Sequence, residues 1–281
     1  MQKLDRLGWA DGFSFKSFGL RVGVRVNDPR VLGECKKRLP PGAEPIESEF
    51  VDHLYSIIIG GNGSNSRVKR YNIAYSDAAR FARSIDLEPV LEDFESNLQL
   101  TVAEWSPRRV FVHAGVVEWN GNAIMIPGSS FSGKTTLVQH LVQAGAKYYS
   151  DEYAVLDAHG RVHPYPRPLG VRSLDATRTD KIPVEDLGGS AGSGPLPVKL
   201  VVSTSYRSGA MWRPRELSAG KGVLELLSHT VCARRRPLLA LTTLPKVAVH
   251  ATILKGVRGE ASSVADAILE RWHKACRRTR S

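Results

Sequence analysis

The chain has 281 residues, of which 42% are hydrophobic and 24% charged, and these values are ordinary for a globular protein of one large or two modest domains. Its three cysteines, Cys35, Cys232 and Cys276, are too widely spaced to predict a disulfide framework or a zinc site, and the start of the chain lacks the apolar stretch of a secretory signal. No apolar run reaches the roughly 20 residues that cross a bilayer, so we expect a cytoplasmic protein without a membrane partner.

Much of the net charge of +11 comes from residues 234–236 and from the tail, residues 271–281. Such a surface either attracts an acidic partner or is a solvated helix end, where cations are favoured. The basic residues are not interleaved with aromatic ones, as they are where bases stack. We therefore expect no nucleic acid among the partners.

The first part of the chain, residues 1–105, is predicted to be an α/β segment of short elements. Val22, Val24 and Val26 alternate as in a strand, and DPRVLGECKKRLPPG offers an aspartate cap, a helix and a Pro-Pro-Gly stop. HLYSIIIGG and RVKRYNIAYS are typical of two further strands. Residues 87–105 place apolar side chains at nearly helical spacing behind a proline and acidic residues, which predicts a helix.

A strand, a glycine loop and a helix follow one another in the centre of the chain. RVFVHAGVVEW and NAIMIPG are typical of two strands joined by Asn120-Gly121, a hairpin turn that requires positive φ at both central residues. The second strand is apolar throughout, which predicts burial on both faces. TTLVQHLVQAG then has the apolar face of a helix, with Gly145 as its stop.

The loop reads GSSFSGKTT, which has the Gly-x4-Gly-Lys-Thr spacing of a phosphate-binding loop. Its backbone N–H groups and the positive end of the helix would hold the phosphates of ATP. Lys134 would bridge the β- and γ-phosphates, and the Thr135 hydroxyl would bind Mg²⁺. The predicted nucleotide-binding residues are Gly128, Ser129, Ser130, Phe131, Ser132, Gly133, Lys134, Thr135 and Thr136.

An acidic pair, Asp151-Glu152, ends the strand that follows this helix. One carboxylate beside the γ-phosphate can hold the metal, and the other can accept the proton of an attacking hydroxyl, a step worth about 10² to 10⁴ in rate. The alternative is a strand-end cap or a solvated turn. The chain lacks the LSGGQ-like signature of a transporter ATPase and the Asn-Lys-x-Asp motif of a GTPase, so both classes are excluded.

Residues 113–172 resemble the catalytic core of HPr kinase/phosphorylase, and more closely the HPr kinase-like serine kinases. The matching features are His113-Ala-Gly before a hairpin, the phosphate loop, the Ser-Asp-Glu strand and PYPRPLGVR. The resemblance continues weakly through KVAVHATILKG to the C-terminus. It does not extend to residues 1–105, which are unlike the regulatory domain of the sensor enzymes.

The resemblance implies a role for each matching residue. Asp151 matches the catalytic acid/base, and Glu152 the second acid, which with Thr135 is the predicted pair of Mg²⁺ ligands. His113 matches a histidine near the transferred phosphoryl group. Arg167 matches the arginine of a family signature, and with Lys134 it completes the predicted catalytic set.

Three positions depart from the family pattern. Phe131 stands where the loop usually has a second glycine, and it is strained if the position requires positive φ. Pro168 replaces the first glycine of the signature, and Tyr165 replaces a glutamate. These departures leave open whether ATP is handled normally and whether the reverse phosphorylase reaction occurs.

The resemblance implies an α/β fold in which residues 106–281 form a P-loop kinase core of the HPr kinase / PEP carboxykinase-like type, a central mixed sheet flanked by helices, with residues 1–105 packed on it. The predicted function is ATP- and Mg²⁺-dependent phosphorylation of a hydroxyl, that of serine, on a protein or peptide. The alternatives are a nucleotide-binding regulatory or peptide-maturation module without phosphotransfer, and a small-molecule kinase. The family's sensor enzyme is a hexamer, which leaves homo-oligomerisation open for this chain.

Overall fold

The computed structural model describes residues 4–48, 50–61, 70–129, 132–172 and 179–278. The chain is mixed α/β and divides into two compact units, Met1–Pro107 and Arg108–Ser281. Within the described ranges, no helix combines the length and the apolar character needed to cross a membrane.

The first unit contains a six-stranded sheet in the order β3-β1-β2-β4-β5-β6, in which β2 and β4 are parallel and the other neighbours antiparallel. Its elements are β1 (Asp11–Ser17), β2 (Leu20–Val26), α1 (Leu32–Lys37), β3 (Ala43–Ile46), β4 (His53–Ile58), β5 (Asn72–Ser76), β6 (Ala79–Ser84) and α2 (Leu87–Trp105). The helix predicted over residues 87–105 is confirmed as α2, which packs on β5 and β6. It buries Val90, Phe94 and Leu98 completely, as its apolar spacing requires.

The second unit is built on an eight-stranded mixed sheet in the order β11-β10-β7-β8-β14-β16-β15, with β9 also paired to β7. Its strands are β7 (Val110–Trp119), β8 (Asn122–Pro127), β9 (Lys147–Ser150), β10 (Tyr153–Leu156), β11 (Arg161–His163), β14 (Leu196–Tyr206), β15 (Arg215–Glu216) and β16 (Thr252–Arg258). A separate two-stranded sheet contains β12 (Leu169–Arg172) and β13 (Thr179–Ile182). The helices are α3 (Lys134–Gln143), α4 (Ala219–Ser228), α5 (Pro237–His250) and α6 (Ala261–Arg278).

The predicted burial of β8 on both faces is confirmed. Ile124 and Ile126 belong to the core cluster formed with α3 and α6, whereas Met125 belongs to the cluster formed with α4 and α5. Each such side chain contributes about 1.5–3 kcal/mol when it is buried. The predicted hairpin is also present, with φ of 49° at Asn120 and 76° at Gly121. Both ends of the glycine loop are therefore attached to well-packed elements.

Three parallel strands, β8, β14 and β16, lie next to one another in this sheet. Their carboxyl ends meet at the same edge, which is the edge where ligands bind in open α/β sheets. The glycine loop leaves β8 at this edge, and Ser203 and Arg258 lie towards the same ends of β14 and β16. The topology thus brings residues from distant parts of the sequence to one side of the sheet.

Candidate functional site

The glycine loop connects β8 to α3, and it is described except for Ser130 and Phe131, which lie outside the described residues. Gly133 has a φ of +79°, so its backbone conformation favours glycine, and a Cβ there would lie 2.4 Å from Nη2 of Arg258 and displace that guanidinium. The Oγ of Ser132 is buried and has no hydrogen-bond partner among the described residues. A buried hydroxyl of this kind is available to an oxygen ligand.

Lys134 begins α3, and its ammonium lies across the loop. The Nζ donates a hydrogen bond of 2.6 Å to the carbonyl oxygen of Ser129. Burial lowers the pKa of Lys134, while the charges of Asp151 and Glu152 work in the opposite direction. A cation with reduced access to water interacts strongly with an anion placed beside it.

Asp151 and Glu152 are positioned by two strands that run along one edge of β7. β9 pairs with β7 at Val116 and β10 pairs with it at His113, so the acidic pair lies where the ladder is interrupted. The backbone carbonyl of Glu152 still accepts from the N–H of Ala114, at 3.1 Å. The sequence placed the pair at a strand end, and the structure places it in a bend between two strands.

Both oxygens of the Asp151 carboxylate contact hydroxyl groups. Thr135 Oγ1 donates to Oδ2 over 3.1 Å, and the Tyr148 hydroxyl lies 2.8 Å from Oδ1. The same hydroxyl is 2.8 Å from the carbonyl oxygen of Arg167. Burial and then the charge of Asp151 raise the pKa of Tyr148, so this hydroxyl stays protonated and acts as a donor. The carboxylate is therefore fixed beside the first turn of α3.

Glu152 contacts a different partner, the guanidinium of Arg167. Nη1 of Arg167 donates to Oε2 of Glu152 in a half-buried ion pair. Thr135, the other predicted Mg²⁺ ligand, is bonded to Asp151. The structure thus pairs Thr135 with the predicted base, and Glu152 with the signature arginine.

His113 lies in β7 between the acidic pair and the start of the loop. Its ring packs against Tyr153 with centroids 4.8 Å apart, and its carbonyl oxygen accepts from the N–H of Gly128. Burial lowers the pKa of His113, and the charge of Lys134 lowers it further. The imidazole is therefore neutral at physiological pH.

Two further residues of the site were not predicted from the sequence. Arg258, only 3% exposed, donates from Nη2 to the carbonyl of Gly133 and from Nη1 to that of Gly259, both at 2.9 Å. The sequence feature that could have indicated Arg258 is a charged residue at the end of the strand TILKGVR. Nothing in the sequence distinguishes Tyr148, because tyrosines are common in buried strands.

A cleft of about 600 Å³ continues from the loop across the ends of β14 and β16. Ser129 and Ser132 of the loop line it, together with Lys255 and His229. This volume is within the usual range for small-ligand sites.

Comparison with models of known protein families gives no match, and comparison with curated proteins gives none either. Among solved structures, the chain is similar to the Hpr(Ser) kinase/phosphatase from Coxiella burnetii, with 10% sequence identity and a TM-score of 0.33. That alignment covers 59% of this chain and 98% of the other. The likeness is a distant structural relationship, and the family resemblance of residues 113–172 stays a prediction.

Proposed function

We propose that the protein is an ATP- and Mg²⁺-dependent kinase that phosphorylates a hydroxyl, that of serine, on a protein or peptide, and that residues 106–281 form its P-loop kinase core. The hydrogen bond between Thr135 and Asp151 carries this proposal. It joins the hydroxyl that follows Gly-Lys in the loop motif to a carboxylate of the neighbouring strand pair. Lys134 lies next to both.

The residues present fit a nucleotide with its metal. The ammonium of Lys134 and the orphaned hydroxyl of Ser132 offer donors to phosphate oxygens. Thr135 and the two carboxylates offer the hard oxygen ligands that Mg²⁺ prefers. When bound, ATP supplies the phosphoryl group and Mg²⁺ neutralises charge on its oxygens.

In this proposal Asp151 would take the proton from the acceptor hydroxyl, whose oxygen would form a bond to the γ-phosphorus of ATP as the bond to the bridging oxygen breaks and ADP leaves. The contacts from Thr135 and Tyr148 hold the carboxylate in one orientation, which favours proton transfer at a fixed atom. Lys134 stabilises the negative charge on the transferring group. Arg167 fixes Glu152, so that the second acid keeps its place beside the base.

The test uses γ-labelled ATP, serine peptides and small hydroxyl metabolites, with the wild-type protein and the Asp151→Asn variant. Label on peptide that is lost in the variant supports the proposal. Label on a metabolite indicates a small-molecule kinase, and nucleotide binding without transfer indicates a regulatory or maturation module. Absence of nucleotide binding would remove all three functions.

A further inference from the structure

The cleft beside the glycine loop has an excess of positive charge, although apolar atoms form more of its lining than polar atoms do. Three of its side chains, Arg213, Arg215 and Lys255, are cationic, and Glu225 is its only carboxylate among the described residues. Among the described residues, no Phe, Tyr or Trp ring lines it. The cleft therefore offers a nucleobase no large aromatic face on which to stack.

The carboxylate of Glu225 is already engaged. Lys255 Nζ and Ser203 Oγ each donate to it over 2.6 Å. Burial works to raise the pKa of Glu225, but the hydrogen bonds from Lys255 and Ser203 outweigh it and leave the pKa below its usual value. Glu225 is therefore paired with Lys255 through one oxygen, and its other oxygen accepts from Ser203 and lies 3.9 Å from Nε2 of His229.

The two arginines of the cleft carry the uncompensated charge. Neither Arg213 nor Arg215 forms an ion pair with another residue that the structure describes, and both are exposed. Arg215 is also the direct cross-strand partner of Lys255 in the β15–β16 pair. Like charges opposite each other destabilise a sheet, and here Glu225 offsets only the charge of Lys255, so the charge of Arg215 is left for a bound anion.

The cleft is continuous with the proposed transfer site. Ser129 and Ser132 of the loop line it. His229, another lining residue, accepts the backbone N–H of His113 at its carbonyl oxygen, over 2.8 Å. Burial lowers the pKa of His229, the charge of Glu225 opposes this effect, and the charges of Lys134 and Lys255 add to it.

We propose that the cleft binds a carboxylate of an acidic peptide, with Arg213 and Arg215 as its ligands, while a serine of the same peptide is presented to Asp151. This inference rests on the proposed function, because it specifies the acceptor of that reaction. It places an acidic partner at the edge of the sheet where the loop lies, whereas the sequence left open an acidic partner or a solvated helix end for residues 234–236 and 271–281.

The experiment measures fluorescence anisotropy of a labelled peptide with one serine flanked by glutamates, and of a matched peptide with glutamines in their place. We expect the wild-type protein to bind the glutamate peptide at least about tenfold more tightly, since bidentate Arg–carboxylate bonds are strong. Arg215→Glu should abolish the difference. Arg234→Glu, an exposed arginine outside the cleft with the same charge change, should preserve it.

Equal affinity of the two peptides for the wild-type protein would overturn the inference, as would an equal loss in Arg215→Glu and Arg234→Glu. Binding is read without ATP, so it is independent of phosphotransfer. If peptide binding depends on Arg215 but the protein transfers no phosphoryl group, the cleft assignment stands and the proposed kinase activity is rejected. If the protein phosphorylates serine peptides equally well whatever their charge, the proposed kinase activity stands and the cleft assignment is rejected.

Discussion

The Thr135 hydroxyl donates a 3.1 Å hydrogen bond to the Asp151 carboxylate, which links the first turn of α3 to the bend between β9 and β10. Tyr148 reaches the other oxygen of the same carboxylate. A ligand held by the loop therefore meets an acid whose position is set by two hydroxyls. Removing the charge of that acid is the most direct test of the site.

Replacing Asp151 by Asn should lower phosphotransfer by at least about a hundredfold, because the amide keeps the shape of the side chain but cannot accept the proton. ATP affinity should stay within a few-fold of wild type, since Lys134 and the loop are intact. Calorimetric ATP binding and single-turnover transfer measure the two effects separately. Asp186→Asn, at an exposed carboxylate outside the loop motif and the acidic pair, is the control. A wild-type transfer rate in Asp151→Asn would show that Glu152 or water is the base.

Lys134→Ala should weaken ATP binding by more than about 1 kcal/mol, because charge-assisted hydrogen bonds contribute about 1.5–3 kcal/mol. The half-buried position of Lys134 favours the upper part of that range. The control is Lys147→Ala. The ammonium of Lys147 is exposed and lies 3.6 Å from the carboxylate of Glu118. Unchanged affinity in Lys134→Ala would exclude phosphate binding by the loop.

The elements predicted correctly are those whose signal is local. α2, β8 and the Asn120-Gly121 hairpin follow from apolar spacing and turn chemistry, and the side chain of Asp28 caps the first turn before α1 as expected. β1 and β6 were not predicted. Their sequences, DGFSFKS and ARFARS, are polar on the exposed side and short, so only their pairing with β2 and β5 makes them strands.

The sequence predicts the site residues that belong to a contiguous motif. It does not predict those that the order of strands in the sheet brings to the site. Lys134, Thr135 and Asp151 are close in sequence, and they meet in the structure. Arg258 reaches Gly133 only because β16 follows β14 in the sheet, on the far side from β8. No spacing rule connects residues so far apart in the chain.

Arg258→Met should destabilise the second unit by about 1–3 kcal/mol, since two charge-assisted bonds are lost while the cost of burying the cation disappears. Burial already lowers the pKa of Arg258, which shows that this cost is present. Urea unfolding measures the loss of stability. ATP affinity should also fall, because the carbonyl oxygen of Gly133 in the loop loses the hydrogen bond that Arg258 donates to it. Arg258→Lys keeps the charge without the fork of two donors, and we expect an intermediate effect. Wild-type stability and affinity in both variants would contradict a positioning role.

The last prediction concerns acid stability. Burial lowers the pKa of His113 and of His229, and the charge of Lys134 adds to both effects, although for His229 the charge of Glu225 opposes them. Below about pH 6.5 the unfolded chain therefore binds protons at these rings while the folded chain does not, so the free energy of unfolding decreases as the pH falls through this range. Above that pH the contribution is zero.

His113→Asn should flatten this dependence, because one of the two neutral rings is removed. Urea unfolding at about pH 7.5, 6 and 5 measures it, and the difference between wild type and variant isolates the histidine from all other titrating groups. His159→Asn, at an exposed ring in the turn between β10 and β11, is the matched control. Parallel curves for wild type and His113→Asn would mean that His113 takes up its proton in the folded protein at the ordinary pH. Its ring would then not be shielded beside Lys134, and a neutral imidazole next to the transferred phosphoryl group would have to be abandoned.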